Sequence, residues 1–451
     1  MEDRWDVIIV GARCAGATLG ALLAKRGVRT LILEASPRGT DMPMSTHLVQ
    51  PPGMDVLDSI GVGDKVRAVT PASPRFRFAL DEVVVNNRSL EGRPAYCVRR
   101  SVIDPWLQDA AEQSGAELRD HHRVVELVRD GERVTGVVAR GPNGNVTLHA
   151  DLVVGADGTH STVAKLAGAE EYLVQEGTRA GYWGYFPAPS KWEANWDATL
   201  EHRGEEIRYV FRTDGDLVTV VYVGEKKEVQ SWGRDYRTKL MERFAASPTT
   251  AALVEGKEQV GKTLGLLTMK FFYRRAVGPG FALVGDAGHF KDFVTGQGMA
   301  DAFLDARRLS TAILDGRPEA YQRYWRERDV ATLPLHFDAL RQGEVGFNEP
   351  FNRFLMSKLA TRPRLLGRLA LMLDRQISPA ELIGNGTVLS WMALALATGR
   401  FDVLSGFLKA GPVLSAHGKE LAERKALLVE AERQLATAAP AAARSTERRA
   451  A

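Results

Sequence analysis

Gly11, Gly16 and Glu34 stand near the start of the chain at spacings that suit the binding of phosphate and hydroxyl groups. Gly11 follows an apolar run at residues 7–10, Gly16 lies where a helical pattern begins, and Glu34 ends a second apolar run. Such a strand, turn, helix and strand place a pyrophosphate at the helix N-terminus and a ribose hydroxyl at the carboxylate. The stretch therefore predicts a dinucleotide site.

Arg13 departs from this pattern, because the G-x-G-x-x-G fingerprint has glycine at that position. Two readings stay open. Either the guanidinium approaches the phosphates, where charge-assisted hydrogen bonds are strong, or the side chain points to solvent and the turn tolerates it.

Two more buried runs end in glycine and an acid. Residues 152–154 lead into Gly155, Ala156, Asp157 and Gly158, and residues 281–284 lead into Gly285 and Asp286. In a doubly wound sheet such strand ends meet at one crevice. Since a nicotinamide dinucleotide needs only the first end, three ends favour FAD, a longer ligand with more hydroxyls.

The composition is that of an ordinary globular chain. Its 451 residues predict two or three domains, and its net charge of +3 gives no case for a nucleic-acid partner. Two cysteines, Cys14 and Cys97, provide neither a disulfide framework nor a metal-ligand set. We therefore predict a reducing, cytoplasmic location and no metal. The late apolar run at residues 388–397 is too short for a transmembrane segment and predicts a buried helix.

The pattern of runs predicts an α/β fold: a Rossmann-like FAD-binding domain, an inserted and mostly antiparallel β substrate domain, and a helical C-terminal region. The predicted boundaries are residues 1–75, 96–170 and 276–330 for the FAD-binding domain, 76–95 and 171–275 for the substrate domain, 331–436 for the helical region and 437–451 for a disordered tail.

Three blocks together resemble a known family. They are the turn at residues 11–16 with Glu34, the sequence GADGTHSTV at residues 155–163, and VGDAGHFKDFVTGQGMADAFLDA at residues 284–306. In this order and spacing they resemble the FAD-dependent aromatic hydroxylases of the p-hydroxybenzoate hydroxylase fold, which is shared by flavin-dependent halogenases and geranylgeranyl reductase-like proteins.

The resemblance implies roles for twelve cofactor-binding residues. The turn would hold the pyrophosphate, Glu34 the adenosine ribose, Asp286 the ribityl or phosphate end, and a later helix N-terminus the reduced flavin. Asp157 would serve both FAD and a nicotinamide donor. The full set is Gly11, Arg13, Ala15, Gly16, Glu34, Arg100, Val124, Asp157, Asp286, Gly296, Gly298 and Met299.

Four positions depart from the family pattern. Besides Arg13, Phe293 stands where proline is usual, and His160 and Ala164 stand where arginines are common. The last two leave open whether NADPH or NADH reduces the flavin directly or a separate flavin reductase supplies the electrons.

Two side chains are candidates for work on the substrate. His47 lies in a loop that runs toward the flavin in this fold, and its alternative role is structural or a contact with FAD. Tyr182 lies on the first strand of the inserted sheet. Neighbouring Tyr182 and Trp183 point to opposite faces of that strand, so one face is a candidate lining for a substrate pocket; the alternative is that both residues belong to the sheet core.

The resemblance implies a monooxygenase that uses NAD(P)H and molecular oxygen, through a flavin hydroperoxide, to hydroxylate or epoxidise a small hydrophobic or aromatic substrate. The alternatives are a geranylgeranyl reductase-like flavin reductase or dehydrogenase and a non-redox flavin-binding cyclase. The expected partners are a small-molecule substrate and oxygen, with a homodimer or a separate reductase left open.

Overall fold

The structure is a computed structural model that describes residues 4–40, 45, 47–87, 92–192, 194–347 and 349–438. Its strands, in chain order, are β1 (Arg4–Val10), β2 (Thr30–Leu33), β3 (Leu48–Val49), β4 (Ala72–Ser73), β5 (Phe76–Leu80), β6 (Val83–Asn87), β7 (Ala95–Cys97), β8 (Glu117–Arg119), β9 (Arg123–Asp130), β10 (Arg133–Gly141), β11 (Gly144–Gly155), β12 (Glu171–Glu176), β13 (Arg179–Pro187), β14 (Ala198–Arg203), β15 (Glu206–Thr213), β16 (Leu217–Glu225), β17 (Val260–Leu266), β18 (Lys270–Arg274), β19 (Val277–Gly278), β20 (Phe281–Leu283) and β21 (His289–Phe290).

The helices, in the same order, are α1 (Cys14–Ala24), α2 (Pro51–Ser59), α3 (Gly63–Val69), α4 (Arg100–Gln113), α5 (Thr162–Ala167), α6 (Lys226–Ser231), α7 (Tyr236–Ala245), α8 (Pro248–Val254), α9 (Gly298–Asp315), α10 (Pro318–Gly343), α11 (Pro350–Ala360), α12 (Pro363–Leu373), α13 (Pro379–Leu382), α14 (Asn385–Ala397) and α15 (Phe401–Thr437). Several begin with proline, whose fixed φ suits the first helical position and whose missing N–H is not needed there.

A mostly parallel sheet forms the first layer. Its strand order is β19-β20-β11-β1-β2-β8, with β9 and β10 added as an antiparallel extension of β11. The core strands β1 and β2 carry apolar runs because both faces are covered, one by a cluster that includes α1, α4 and α9 and the other by a cluster that includes α5. This topology confirms the α/β fold.

A seven-stranded sheet forms the second layer, in the order β17-β13-β16-β15-β14-β5-β6. All its pairs are antiparallel except β14 with β5. One face packs under α6, α7 and α8, and the other packs against β3, β7, α10 and α12. Strands on both sides of the segment 95–170 contribute to it, as expected for an inserted β-sheet.

The structure extends one predicted strand and leaves most of the predicted tail outside its described residues. The buried run at residues 152–154 is the last part of the longer strand β11. The expected disordered tail lies outside the described residues except for Thr437, which ends α15, and Ala438.

Helix α14 contains the apolar run that was expected to be a buried helix. It buries Trp391, Met392 and Ala395, whereas Leu389, Leu394 and Leu396 are exposed, so the expectation holds for only one side of the helix. Within the described ranges, no helix is long and apolar enough to cross a membrane.

Candidate functional site

A cavity of about 410 Å³ lies where the parallel strands end and the seven-stranded sheet begins. The carboxyl ends of β1, β2, β11 and β20 meet there, as parallel strands require. Eleven of the twelve predicted cofactor-binding residues line it: Gly11, Arg13, Ala15, Glu34, Arg100, Val124, Asp157, Asp286, Gly296, Gly298 and Met299.

Gly16 does not line the cavity; it closes the packing beneath it. A Cβ on Gly16 would stand 1.9 Å from the carbonyl oxygen of Gly11. Gly11 itself has a φ of +104°, and its own Cβ would stand 2.5 Å from the carbonyl oxygen of Ala156. Both positions therefore require glycine, one for helix–strand approach and one for the turn.

The N-terminus of α1 faces the cavity. Arg13, Cys14 and Ala15 line the cavity, and the first turn of the helix contains no acidic residue and no side-chain cap. Its free backbone N–H groups and the positive end of the helix dipole suit a negatively charged group such as a pyrophosphate.

The surroundings of Arg13 support the first interpretation, in which its guanidinium approaches the phosphates. Its Nη1 atom is buried, and no hydrogen-bond partner for it occurs in the described part of the chain. A buried guanidinium nitrogen without an acceptor is costly, and a phosphate oxygen beside the α1 N-terminus would satisfy it. The residues present therefore fit the pyrophosphate of FAD.

We expect Arg13→Ala to weaken FAD binding roughly 10- to 100-fold, because a hydrogen bond to a charged group contributes about 1.5–3 kcal/mol. Titrating the apoprotein with FAD and following flavin fluorescence measures this. Arg4→Ala is the matched control, since Arg4 forms an exposed ion pair with Asp151 at the start of β1, at the opposite end of the strand from Gly11. Equal affinity of wild type and Arg13→Ala would contradict the phosphate contact.

Glu34 and Arg100 are held in place by neighbouring groups. The Glu34 carboxylate accepts hydrogen bonds from the backbone N–H groups of Ala12 and Ser36, both at 2.9 Å. Arg100 forms a buried bidentate pair with Asp104, at 2.8 and 2.9 Å. Each side chain is thus fixed at the cavity wall before any ligand binds.

The Cys14 side chain is buried within the protein, and the Asp157 side chain is hydrogen-bonded within it. Burial raises the pKa of the Cys14 thiol to about 12, so this cysteine is a packed, unreactive thiol. The Asp157 carboxylate accepts hydrogen bonds from Ser161 and from the backbone of Thr162 and Val163 at the start of α5. Asp157 thereby fixes the loop after β11, so we assign it a positioning role at the cavity wall.

Asp286 presents a carboxylate to the cavity. Burial raises its pKa to about 6, against the lowering effect of His289 and Arg100. Among the described residues no donor hydrogen-bonds to this carboxylate. A hydroxyl group of a bound cofactor would donate the missing hydrogen bond to this carboxylate, as expected for the ribityl end of FAD.

The other end of the cavity lies at the N-terminus of α9. Gly296, Gln297, Gly298 and Met299 line it, and Gly296 has a φ of +62°. The chain thus turns sharply and directs backbone N–H groups of the first helical turn toward the cavity. Such donors suit the negative charge of a reduced flavin.

The two predicted catalytic residues do not reach the cavity. His47 is fully buried, its Nε2 is hydrogen-bonded to the Tyr185 hydroxyl, and burial lowers its pKa to about 3. Tyr182 stacks on Tyr236 and Trp232, with ring centroids 5.0 and 6.0 Å away, beneath α6 and α7. This position rules out direct contact between Tyr182 and a ligand in the cavity.

Trp183, the neighbour of Tyr182 on β13, lines the cavity. Together with Leu48, Val221, Leu266 and Phe293 it makes the far end apolar and aromatic. The indole Nε1 of Trp183 is buried without an acceptor in the part of the protein that the structure describes. The far end of the cavity therefore has an apolar, aromatic surface, and the Trp183 indole N–H there lacks an acceptor among the described residues.

Sequence reasoning missed Lys291 and Asp292, which line the cavity between these two ends. Lys291 forms a buried ion pair with Asp301, which also pairs with Arg375 at 2.7 Å. Burial lowers the pKa of Lys291, and the two cations hold the pKa of Asp301 well below its usual range. The signal in the sequence was their position between the third strand-end acid, Asp286, and the glycine turn at Gly296.

The Asp292 carboxyl group is only partly hydrogen-bonded. Its Oδ1 accepts the backbone N–H of Val294 at 3.0 Å, and its Oδ2 has no hydrogen-bond partner among the residues that the structure describes. Burial raises its pKa to about 7, against the lowering effects of that hydrogen bond and of Arg179. Near neutral pH this carboxyl can hold or release a proton.

The family model described as FAD binding domain matches residues 4–329. The chain belongs to this family. The match spans β1 through α9 and the first part of α10, and therefore every residue of the cavity. The residues that line the cavity therefore form an FAD-binding site.

Relatives and solved structures agree with this assignment. The chain is 29% identical to 6-methylpretetramide 4-monooxygenase of Streptomyces rimosus over 322 residues, which cover 69% of this chain and 75% of the relative. It is 23% identical to digeranylgeranylglycerophospholipid reductase 2 of Methanococcoides burtonii over 335 residues, with coverage of 69% and 75%. The p-nitrophenol 4-monooxygenase PnpA of Pseudomonas putida shares the fold, with a TM-score of 0.74, 18% identity and coverage of 84% of this chain and 100% of PnpA.

These comparisons confirm the predicted resemblance to FAD-dependent monooxygenases and the class of FAD-dependent oxidoreductase.

Proposed function

We propose that this protein is an FAD-dependent monooxygenase that transfers one oxygen atom to a small hydrophobic, aromatic substrate with an ionisable hydroxyl. The observation that carries the proposal is the continuity of one cavity from the nucleotide turn to an apolar wall, with Asp292 beside that wall. When bound, FAD supplies the activation of molecular oxygen and its delivery to the substrate.

The nucleotide end binds and orients the cofactor. Arg13 and the α1 N-terminus would hold the pyrophosphate, Glu34 the adenosine ribose, and Asp286 the ribityl chain. The first turn of α9 would hold the flavin ring. These contacts fix the reactive part of the cofactor toward the aromatic wall.

The apolar end would hold the substrate and exclude water. Trp183, Val221 and Leu266 come from three neighbouring strands of one sheet, so their positions are rigid. A planar substrate packed there would present its polar group to the free indole N–H and to the loop at Asp292. Exclusion of water from this end of the cavity prevents hydrolysis and other side reactions.

Asp292 would accept the proton of the substrate hydroxyl. A phenol becomes more electron-rich as its proton leaves, and a general base with a pKa near the working pH is best suited to the task. His47 does not take this role, because it is neutral, buried and bonded to Tyr185; it positions the loop that carries Leu48.

A matched pair of neighbouring residues tests the substrate wall. We expect Trp183→Leu to weaken the binding of aromatic ligands at least roughly tenfold, since aromatic contacts and buried area are both lost. Tyr182→Phe, one residue away on the opposite face, should leave binding unchanged. Equilibrium titration with a panel of phenols, read by the flavin absorption band, measures both; equal losses in the two variants would contradict the assignment.

The electron donor remains NADPH or NADH, taken up directly or through a separate flavin reductase. The decisive experiment is an anaerobic titration of the FAD-loaded protein with each nucleotide, followed by exposure to labelled oxygen with a panel of phenols. Bleaching of the flavin and one labelled oxygen atom in the product support the proposal. Reduction of an isoprenoid double bond without oxygen incorporation would favour the reductase, as the Methanococcoides relative's name suggests.

A further inference from the structure

Two consecutive helices in the C-terminal region carry an exposed apolar surface, which we call the α14–α15 face. It consists of five side chains with large exposed fractions: Leu389 61%, Leu394 44%, Leu396 59%, Phe401 68% and Leu408 72%. Contiguous exposed apolar patches are rare on proteins that have no partner. The face lies outside the cavity and outside the residues matched by the family model.

Helix α14 is apolar on all sides. Its inner side packs Trp391, Met392 and Ala395 against Phe351 and Val403. Helices with this composition are normally buried all round, yet the opposite side of α14 meets solvent. The α14–α15 face therefore lacks an apolar partner within residues 4–438 as far as the structure describes them.

The segment that carries this face is basic. Residues 350–414 contain eight lysines and arginines and three acidic residues, a net charge of +5, in a chain whose total is +3. Arg362 stacks over the Trp391 ring at 4.7 Å, and Arg364, Arg368 and Lys409 are exposed. The partner of the face must accept both apolar side chains and positive charge.

We propose that the α14–α15 face docks on the surface of an anionic lipid bilayer. Apolar side chains of interfacial helices insert at the boundary of headgroups and acyl chains, while lysines and arginines contact anionic headgroups. A second copy of the chain fits less well, because an isologous dimer through this face would bring two lobes of charge +5 together. Docking would place the enzyme where hydrophobic compounds accumulate.

Sedimentation of the full-length, FAD-loaded protein with vesicles tests this proposal. We expect binding to vesicles of phosphatidylcholine with phosphatidylglycerol, at least roughly tenfold weaker binding to phosphatidylcholine alone, and loss of the difference at high salt. Phe401→Ser with Leu408→Ser should reduce binding at least roughly tenfold. Leu427→Ser with Val429→Ser, two exposed apolar residues farther along α15, is the matched control and should bind as wild type.

Retention of FAD and an unchanged melting temperature show that each variant is folded. Should the apolar variant fail this check, Arg364→Glu with Lys409→Glu takes its place, with the same expected loss on anionic vesicles. Absence of wild-type binding, or equal losses in the control, would overturn the proposal. A dimer that Phe401→Ser with Leu408→Ser dissociates, without vesicle binding, would assign the face to a second copy instead.

Discussion

Replacing Asp292 with asparagine is expected to lower kcat about 100-fold, the lower part of the usual contribution of a general base. The measurement is oxygen-dependent turnover of the phenol that the wild type oxidises fastest. Asparagine keeps the shape of the side chain and can still accept the Val294 N–H, so the loop should stay in place. FAD affinity should therefore remain near the wild-type value.

The pH profile separates a proton-transfer role from a structural one. In the wild type, kcat should rise as the pH passes about 7, where the Asp292 carboxyl loses its proton and becomes able to accept another. In Asp292→Asn this rise should disappear, leaving a low and flat rate. Glu201→Gln is the control, because Glu201 is equally buried but bonds Ser247 and Thr249 away from the cavity.

Stability gives a second readout that needs no substrate. The pKa of Asp292 is raised on folding, so the folded state holds its proton between about pH 4 and 7 while the unfolded chain releases it. The raised pKa lowers the free energy of unfolding. This loss is absent below about pH 4 and complete above about pH 7, where it is on the order of 4 kcal/mol. Asp292→Asn apoprotein should thus unfold at higher denaturant concentration than wild type at about pH 8. Identical pH dependence in both proteins would contradict the assignment.

Gly16→Ala should abolish retention of FAD. Its Cβ would stand 1.9 Å from the Gly11 carbonyl oxygen and 3.1 Å from the Ala156 Cβ, so α1 must move away from β1. That movement withdraws the helix N-terminus and Arg13 from the pyrophosphate together. We expect FAD affinity to fall roughly 100-fold or more, in the upper range for overpacking at a rigid backbone contact.

Gly418→Ala is the matched control for this change. A Cβ at Gly418, within α15, would meet no atom within 4 Å, and alanine favours helix over glycine. The control should bind FAD as wild type and melt at the same or a higher temperature. A Gly16→Ala protein that purifies with its flavin would show that the turn relaxes more easily than the geometry indicates.

The cofactor end could be predicted from sequence because its determinants are local. Gly11, Gly16 and Glu34 act through a turn, a helix start and a strand end within one βαβ unit. Parallel strands then carry Asp286 to the same edge whatever the intervening chain does. Arg13 stayed ambiguous, because the direction of a long side chain depends on packing that no local pattern encodes.

The substrate end could not be predicted in the same way. Strand alternation assigned Tyr182 and Trp183 to opposite faces, but which face meets the cavity depends on how the whole sheet docks. Asp292 looks like an ordinary charged loop residue, and its unusual pKa comes from burial against α10 and the second sheet. Such long-range packing also decided that α14 would keep one side in solvent.

The pairing of β20 with β11 sets an order of events during synthesis. β1 and α1 leave the ribosome early, yet α9 and β20, against which this part of the core packs, are encoded some 270 residues later. At roughly 5–20 residues per second the nascent N-terminal half waits tens of seconds with an incomplete core. Truncated chains that stop before α9 should accordingly aggregate or occupy chaperones, and flavin should join only after nearly the whole catalytic portion has been translated.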